Sequence, residues 1–160
     1  MVILECNQIF GLDYCHTFAP VVKFTTIRTL LALAGVEDWE CEQMDVVTAF
    51  LNGDLDKDIY MHIPEGLKAS ENEGKVCKLN KALYGLKQAP RQWYAKIHQY
   101  LTIDLGFTSS INDPCLYVRK TSSEILIIAL YVDDLLMIGN SSSEITKIKG
   151  EFKKRFEMKD

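Results

Sequence analysis

From Ile125 to Ile138 the chain reads I-L-I-I-A-L-Y-V-D-D-L-L-M-I, two apolar runs with a pair of aspartates between them. Runs of that length and β-branched content predict strands, and two turn-forming residues between them predict a hairpin. Aspartate tolerates the positive φ that such turns use. Elsewhere the apolar spacing is helical. Ile27, Leu30, Leu31 and Ala34 follow the i, i+3, i+4, i+7 stripe, with Thr25 or Thr26 as the cap and Gly35 as the end. Pro90 opens a second helix whose stripe is Trp93, Ile97, Leu101 and Leu105, and Gly106 closes it. Ser141 and Glu144 have the spacing of a capping box before a third helix, whose apolar face is Ile145, Ile148, Phe152 and Phe156.

The remaining segments predict short strands. Residues 1–21 read as irregular or edge-like. W-E-C-E-Q-M-D-V-V from Trp39 is a poorly alternating strand, followed by a short turn, A-F-L-N-G-D-L, that ends in Asn52-Gly53. I-Y-M-H-I-P at 59–64 and V-C-K-L from Val76 pair as a hairpin around a polar loop, 66–74. Cys115 to Arg119 and Ile125 to Val132 form another. Helices interspersed with hairpins predict an α+β domain, an antiparallel sheet packed with helices, rather than βαβ winding.

Composition narrows this picture. With 160 residues, 48% apolar and 25% charged, the chain suits one ordered domain. A formal charge of −4 argues against a protein that simply coats nucleic acid, but a local basic groove can coexist with acidic ligands. Five cysteines (Cys6, Cys15, Cys41, Cys77, Cys115), odd in number and without C-x-x-C, predict buried free thiols in a reducing compartment rather than zinc or disulfides. No apolar run reaches membrane-spanning length, and M-V-I-L-E-C-N-Q lacks a signal peptide's basic start. An intracellular protein, neither secreted nor membrane-bound, is expected.

Asp133 and Asp134 could be turn residues only. They could also be metal ligands, because a divalent cation relieves the repulsion of adjacent carboxylates. The choice rests on a third carboxylate. Asp45, at the end of the strand Q-M-D-V-V, could cap the turn that follows it. If its strand lies beside the aspartate hairpin, three carboxylates meet at one sheet edge. Such hard oxygen ligands suit Mg²⁺ or Mn²⁺, and two ions about 3.5–4 Å apart can activate a hydroxyl and hold a leaving pyrophosphate.

Five segments carry a resemblance: T-F-A-P-V-V-K-F-T-T-I-R from Thr17, Q-M-D-V-V-T-A-F-L-N-G from Gln43, I-Y-M-H-I-P-E-G from Ile59, K-A-L-Y-G-L-K-Q-A-P-R-Q-W-Y from Lys81 and Y-V-D-D-L from Tyr131. Together and in this order, nearly end to end, the chain resembles the reverse transcriptase of copia-type long-terminal-repeat retrotransposons, part of a Pol polyprotein. The resemblance implies a right-hand polymerase palm (about 41–54 and 91–160) with part of the fingers (about 1–40 and 55–90), in one truncated domain without thumb or ribonuclease H.

It also implies the chemistry. Asp45, Asp133 and Asp134 would be catalytic and hold two Mg²⁺ or Mn²⁺ ions, with the Val46 carbonyl assisting. The primer 3′-hydroxyl would attack the α-phosphate of a deoxynucleotide. Thr48 and Ala49 amides would face the triphosphate, and Phe50 would clash with a ribose 2′-hydroxyl. Gly85 would admit the nucleotide or template closely, beside Tyr84, Lys87 and Gln88. Trp93 belongs to the core by its place in the helix stripe. The implied partners are an RNA or DNA template-primer, dNTP and the missing thumb and ribonuclease H parts of the polyprotein. The implied location is cytoplasmic, in a virus-like particle for an intact element.

Two departures qualify activity. Leu4 and Glu5 stand where family members carry a basic finger strand, so triphosphate contacts are lost; and the sequence stops at F-E-M-K-D, before the family's further palm strands. An alternative expectation is therefore a catalytically inactive retroelement remnant, a non-catalytic fragment that binds RNA or a partner. A nucleotide cyclase gains no support from L-Y-G-L-K-Q-A-P. A metal nuclease would show more ligands than the scattered His16, His62 and His98.

Overall fold

Residue alternation builds the sheet. In the computed structural model, which describes residues 8–64 and 74–160, six strands lie in the order β4-β5-β6-β7-β1-β8, each antiparallel to its neighbour. They are β1 (Glu40–Val46), β4 (Thr108–Ser109), β5 (Leu116–Lys120), β6 (Ile125–Tyr131), β7 (Asp134–Gly139) and β8 (Met158–Lys159). A separate hairpin pairs β2 (Tyr60–His62) with β3 (Val76–Lys78). The α+β architecture with an antiparallel sheet is as the pattern predicts. The polar loop 66–74 falls almost wholly outside the described residues, as do Leu4, Glu5 and Cys6.

One sheet face makes the core. Met44 and Val46 of β1, Leu135 and Met137 of β7, and Leu126, Ile128 and Leu130 of β6 are all buried there. They pack on Trp93 and Ile97 of α2 (Ala89–Gln99) and on Ile145, Ile148 and Phe152 of α3 (Ser142–Arg155). The other face is bordered by α1 (Phe24–Glu37), which buries only Leu30 and Ala34; Leu31, expected on the stripe, is 47% exposed.

The helix ends depart from expectation. α1 starts at Phe24 with Lys23, not Thr25 or Thr26, as its N-cap. One of its orphan amide donors is met from 90 residues away: the buried Asp113 carboxylate accepts from the Lys23 amide at 3.1 Å, and also from the Thr26 hydroxyl at 2.7 Å. The helix runs through Gly35 and ends at Asp38, which takes the left-handed conformation (φ 52°). α2 has Pro90 in its first turn and continues through a π-helical turn, Tyr100–Asp104, to Gly106 at φ 71°. Only half of the capping box forms. The Glu144 amide donates to the Ser141 hydroxyl, but the Glu144 carboxylate is drawn to Arg119 of β5. Among the described cysteines all are free, and only Cys115 is buried; Cys15 and Cys41 are exposed, which corrects the buried-thiol expectation. Among the described residues no helix is long and apolar enough to cross a membrane.

Candidate active site

Register brings the three aspartates to one end of the sheet. β1 and β7 pair so that Asp45 lies directly opposite Asp134, with Met44 opposite Leu135. Met44 and Leu135 point into the core, so Asp45 and Asp134 share the other face. Asp133 sits in the turn, and its carbonyl accepts from the Val46 amide at 2.9 Å. Like charges directly opposite on a sheet are destabilising. Among the described residues no lysine or arginine forms an ion pair with any of the three. Burial, and then the charges of Asp45 and Asp134, push the Asp133 carboxyl above its ordinary value, against an opposing backbone hydrogen bond. The three supply hard oxygen donors and no competing cation, which fits Mg²⁺ or Mn²⁺ in kind. Among the described residues, however, no three His, Cys, Asp or Glu side chains gather closely enough to hold an ion. Carboxylates without counter-charge repel one another, which favours a spread arrangement.

The turn is not the one the sequence suggests. Tyr131 pairs with Asp134, so the turn residues are Val132 and Asp133, and Asp134 already belongs to β7. The positive φ falls on Val132 (58°), a β-branched residue for which it is an outlier. The Trp93 indole nitrogen donates to the Val132 carbonyl at 2.7 Å. Trp93 is 2% exposed and is a core residue, as its stripe predicts.

The residues expected to face a nucleotide are placed unevenly about the carboxylates. Thr48 is exposed and left-handed (φ 52°), and opens the 3₁₀ turn Ala49–Asn52. Phe50 is half-buried, with its ring 4.8 Å from that of Tyr84. The Tyr84 hydroxyl is pushed up by burial and then by Asp133 and Asp45, so it lies in the field of both carboxylates. Gly53 backs this turn onto α2, where an added Cβ would meet the Trp93 nitrogen at 3.0 Å. Gly85 has φ 95°, a conformation that favours glycine.

Lys87 and Gln88 are engaged elsewhere. The Lys87 ammonium lies over the Tyr14 ring at 5.1 Å. Gln88 is 1% exposed; its amide nitrogen donates to the Asp13 carbonyl at 3.1 Å and its oxygen accepts from Gln8 at 2.8 Å. Both residues tie residues 8–14 to the start of α2.

Two residues at the site carry no role in the sequence reading. Gln43 donates to Asp134 Oδ1 at 2.9 Å. Period-two alternation from Asp45 places Gln43 on the carboxylate face, and that is the signal for it. Trp93 had a signal too, since a buried indole N–H needs an acceptor. Beside them runs a groove of about 520 Å³ between α1 and the sheet, lined by Phe24, Ile27, Leu31, Gln43, Tyr131 and Asp134 among others.

The family described as reverse transcriptase (RNA-dependent DNA polymerase) matches residues 1–160, so the chain belongs to that family. Its relatives specify the copia-type retrotransposon kind. The chain is 47% identical over 161 residues to the retrovirus-related Pol polyprotein from transposon TNT 1-94 of Nicotiana tabacum, covering all of this chain and 12% of that one. It is 44% identical over 154 residues to the Pol polyprotein from transposon RE1 of Arabidopsis thaliana, covering 96% of this chain and 10% of that one. It is also 41% identical over 117 residues to the putative transposon Ty5-1 protein YCL074W of Saccharomyces cerevisiae, covering 73% and 38%. The chain thus spans about a tenth of the length of these plant polyproteins. No solved structure matches it.

Proposed function

We propose that this chain is the nucleotidyl-transfer segment of a copia-type reverse transcriptase, with palm at about 41–54 and 91–160 and fingers parts at about 1–40 and 55–90. The observation that carries the reading is the facing of Asp45 and Asp134 across β1 and β7, with Asp133 in the adjoining turn and no ion-paired lysine or arginine among the described residues. Asp45 and Asp133 would hold two Mg²⁺ or Mn²⁺ ions with the Val46 carbonyl, and Asp134 would support them. When bound, the ions would activate the primer 3′-hydroxyl and stabilise the leaving pyrophosphate. The chain's own part is to orient and exclude. Phe50, braced on Tyr84, blocks a ribose 2′-hydroxyl; Thr48 and Ala49 offer amides to the triphosphate. Gly85 keeps its loop slim beside the template. Template-primer and dNTP are the partners, and thumb and ribonuclease H belong to the rest of the polyprotein. The setting is the cytoplasm, in the element's particle.

A second reading is a segment without turnover on its own, which binds RNA or a partner. It is favoured by the absence, among the described residues, of three acidic side chains drawn to one point. Primer extension on poly(rA) with oligo(dT), dTTP and Mg²⁺ or Mn²⁺ separates the two. Extension that disappears in Asp133→Asn supports the first. No extension by a folded protein that still binds RNA supports the second.

A further inference from the structure

We propose that Trp93 is a positioning residue for the carboxylate turn: its indole N–H fixes the Val132–Asp133 peptide and so sets where Asp133 is presented. The inference rests on the reading of Asp133 as a metal ligand. Asp133 lies between two peptide planes. The one that follows it is held through its carbonyl by the Val46 amide at 2.9 Å. The one that precedes it is held through the Val132 carbonyl by Trp93 Nε1 at 2.7 Å. With both planes fixed, the backbone dihedrals at Asp133 are fixed as well.

The first anchor is backbone, made by the residue after Asp45, and follows from sheet register. The second is a side chain and has to be supplied. It is needed because Val132 takes φ 58°, which a β-branched residue disfavours, so the turn persists only where its surroundings hold it. Trp93 is able to hold it. The ring is 2% exposed and meets Phe156 edge-to-face, with centroids 5.4 Å apart at 84°. Its backbone nitrogen is packed so closely on Gly53 that no side chain fits there without a shift. The donor is therefore rigid, and it reaches out of the core to the strained residue of the aspartate turn.

Packing alone would give a different result from anchoring, because packing needs the ring and anchoring needs the N–H. Replacing Trp93 with benzothienylalanine keeps the bicyclic shape and exchanges the N–H for sulfur. Trp93→Phe removes the same donor with some loss of volume, and serves as the second variant. Mn²⁺ binding is read by titration calorimetry, and amide exchange across Tyr131–Leu135 by mass spectrometry. With the donor gone, Mn²⁺ affinity is expected to fall at least ~10-fold, as for other partners that orient ligands, and the turn amides to exchange faster. Unchanged affinity and unchanged turn exchange in a folded isostere variant would overturn the proposal. If wild-type protein binds no Mn²⁺, the metal reading fails instead, and exchange decides alone. A faster turn in the variants then upholds the anchor, and an unchanged one overturns it.

Discussion

The two sides of the site are held in place by different means. The carboxylate side is built on sheet register: Asp45, Asp133 and Asp134 ride on β1, the turn and β7, whose opposite faces are the fully buried Met44, Leu135 and Met137. The other side is the loop from Tyr84 to Gln88, which among the described residues has no strand partner and is pinned by side chains, chiefly Gln88 to Gln8 and Asp13 and Gln8 to the Lys87 amide. A site held by register moves only if the sheet does. A site held by a few side-chain hydrogen bonds shifts when one of them is cut. The proposed roles fit this division: metal ligands need fixed geometry, whereas a loop proposed to meet a base pair gains from adjusting.

The contrast can be broken at several points. Leu135→Ala strips the carboxylate strand of its core contact, and is expected to cost about 3 kcal/mol of global stability, the usual scale for a buried leucine. Urea denaturation reads it, and a loss under about 1 kcal/mol would mean that register is not what holds the aspartates. Gln88→Ala cuts the Tyr84–Gln88 side. It removes the partner of the Asp13 carbonyl and of the Gln8 amide nitrogen, while the Gln8 oxygen still accepts from the Lys87 amide, and should cost about 1–2 kcal/mol. Its signature is local: amide exchange rises in residues 8–14 and 84–88 but not in β1, β6 or β7. A uniform rise would merge the two sides into one unit.

The smallest effect sharpens the comparison by sign. The Asp133 carboxyl is raised in the folded chain, so the native state holds its proton more tightly than the unfolded chain does. Ionisation of Asp133 therefore lowers stability as pH rises through the carboxylate range, and the cost is fully present at neutral pH. Asp133→Asn should then stabilise the metal-free protein at neutral pH, with the gain shrinking as pH falls from the raised value toward the ordinary aspartate value and gone below it. Thermal melts at neutral and acid pH check this; a destabilised variant at neutral pH would mean that a neighbouring group compensates the Asp133 charge.

Much of the fold is legible in the sequence because most of its elements announce themselves locally. The stripe of Trp93, Ile97 and Leu101, the run from Ile125 to Tyr131, and Ile145 to Phe152 each match one period. What escapes is long-range. The cap of α1 comes from Asp113, which no window around Lys23 contains. Glu144 has the spacing for a capping box, yet Arg119, 25 residues away, captures its carboxylate. The turn residue with positive φ is Val132, because Tyr131 pairs with Asp134 and Trp93 anchors the carbonyl between them. Of the expected site, the three aspartates lie at one end of the sheet, Tyr84 lies in the field of Asp133 and Asp45, and Phe50 packs on Tyr84. Lys87 and Gln88 reach toward residues 8–14 instead, and nothing in L-Y-G-L-K-Q-A-P reveals that preference.

The central claim is that Asp45, Asp133 and Asp134 form a divalent-cation site, and Mn²⁺ titration by calorimetry, with dNTP present, tests it most directly on wild-type protein and Asp133→Asn. Saturable binding by the wild type that is lost in the variant is the predicted result. A folded wild type with no specific Mn²⁺ binding, or a variant that binds equally well, would contradict it.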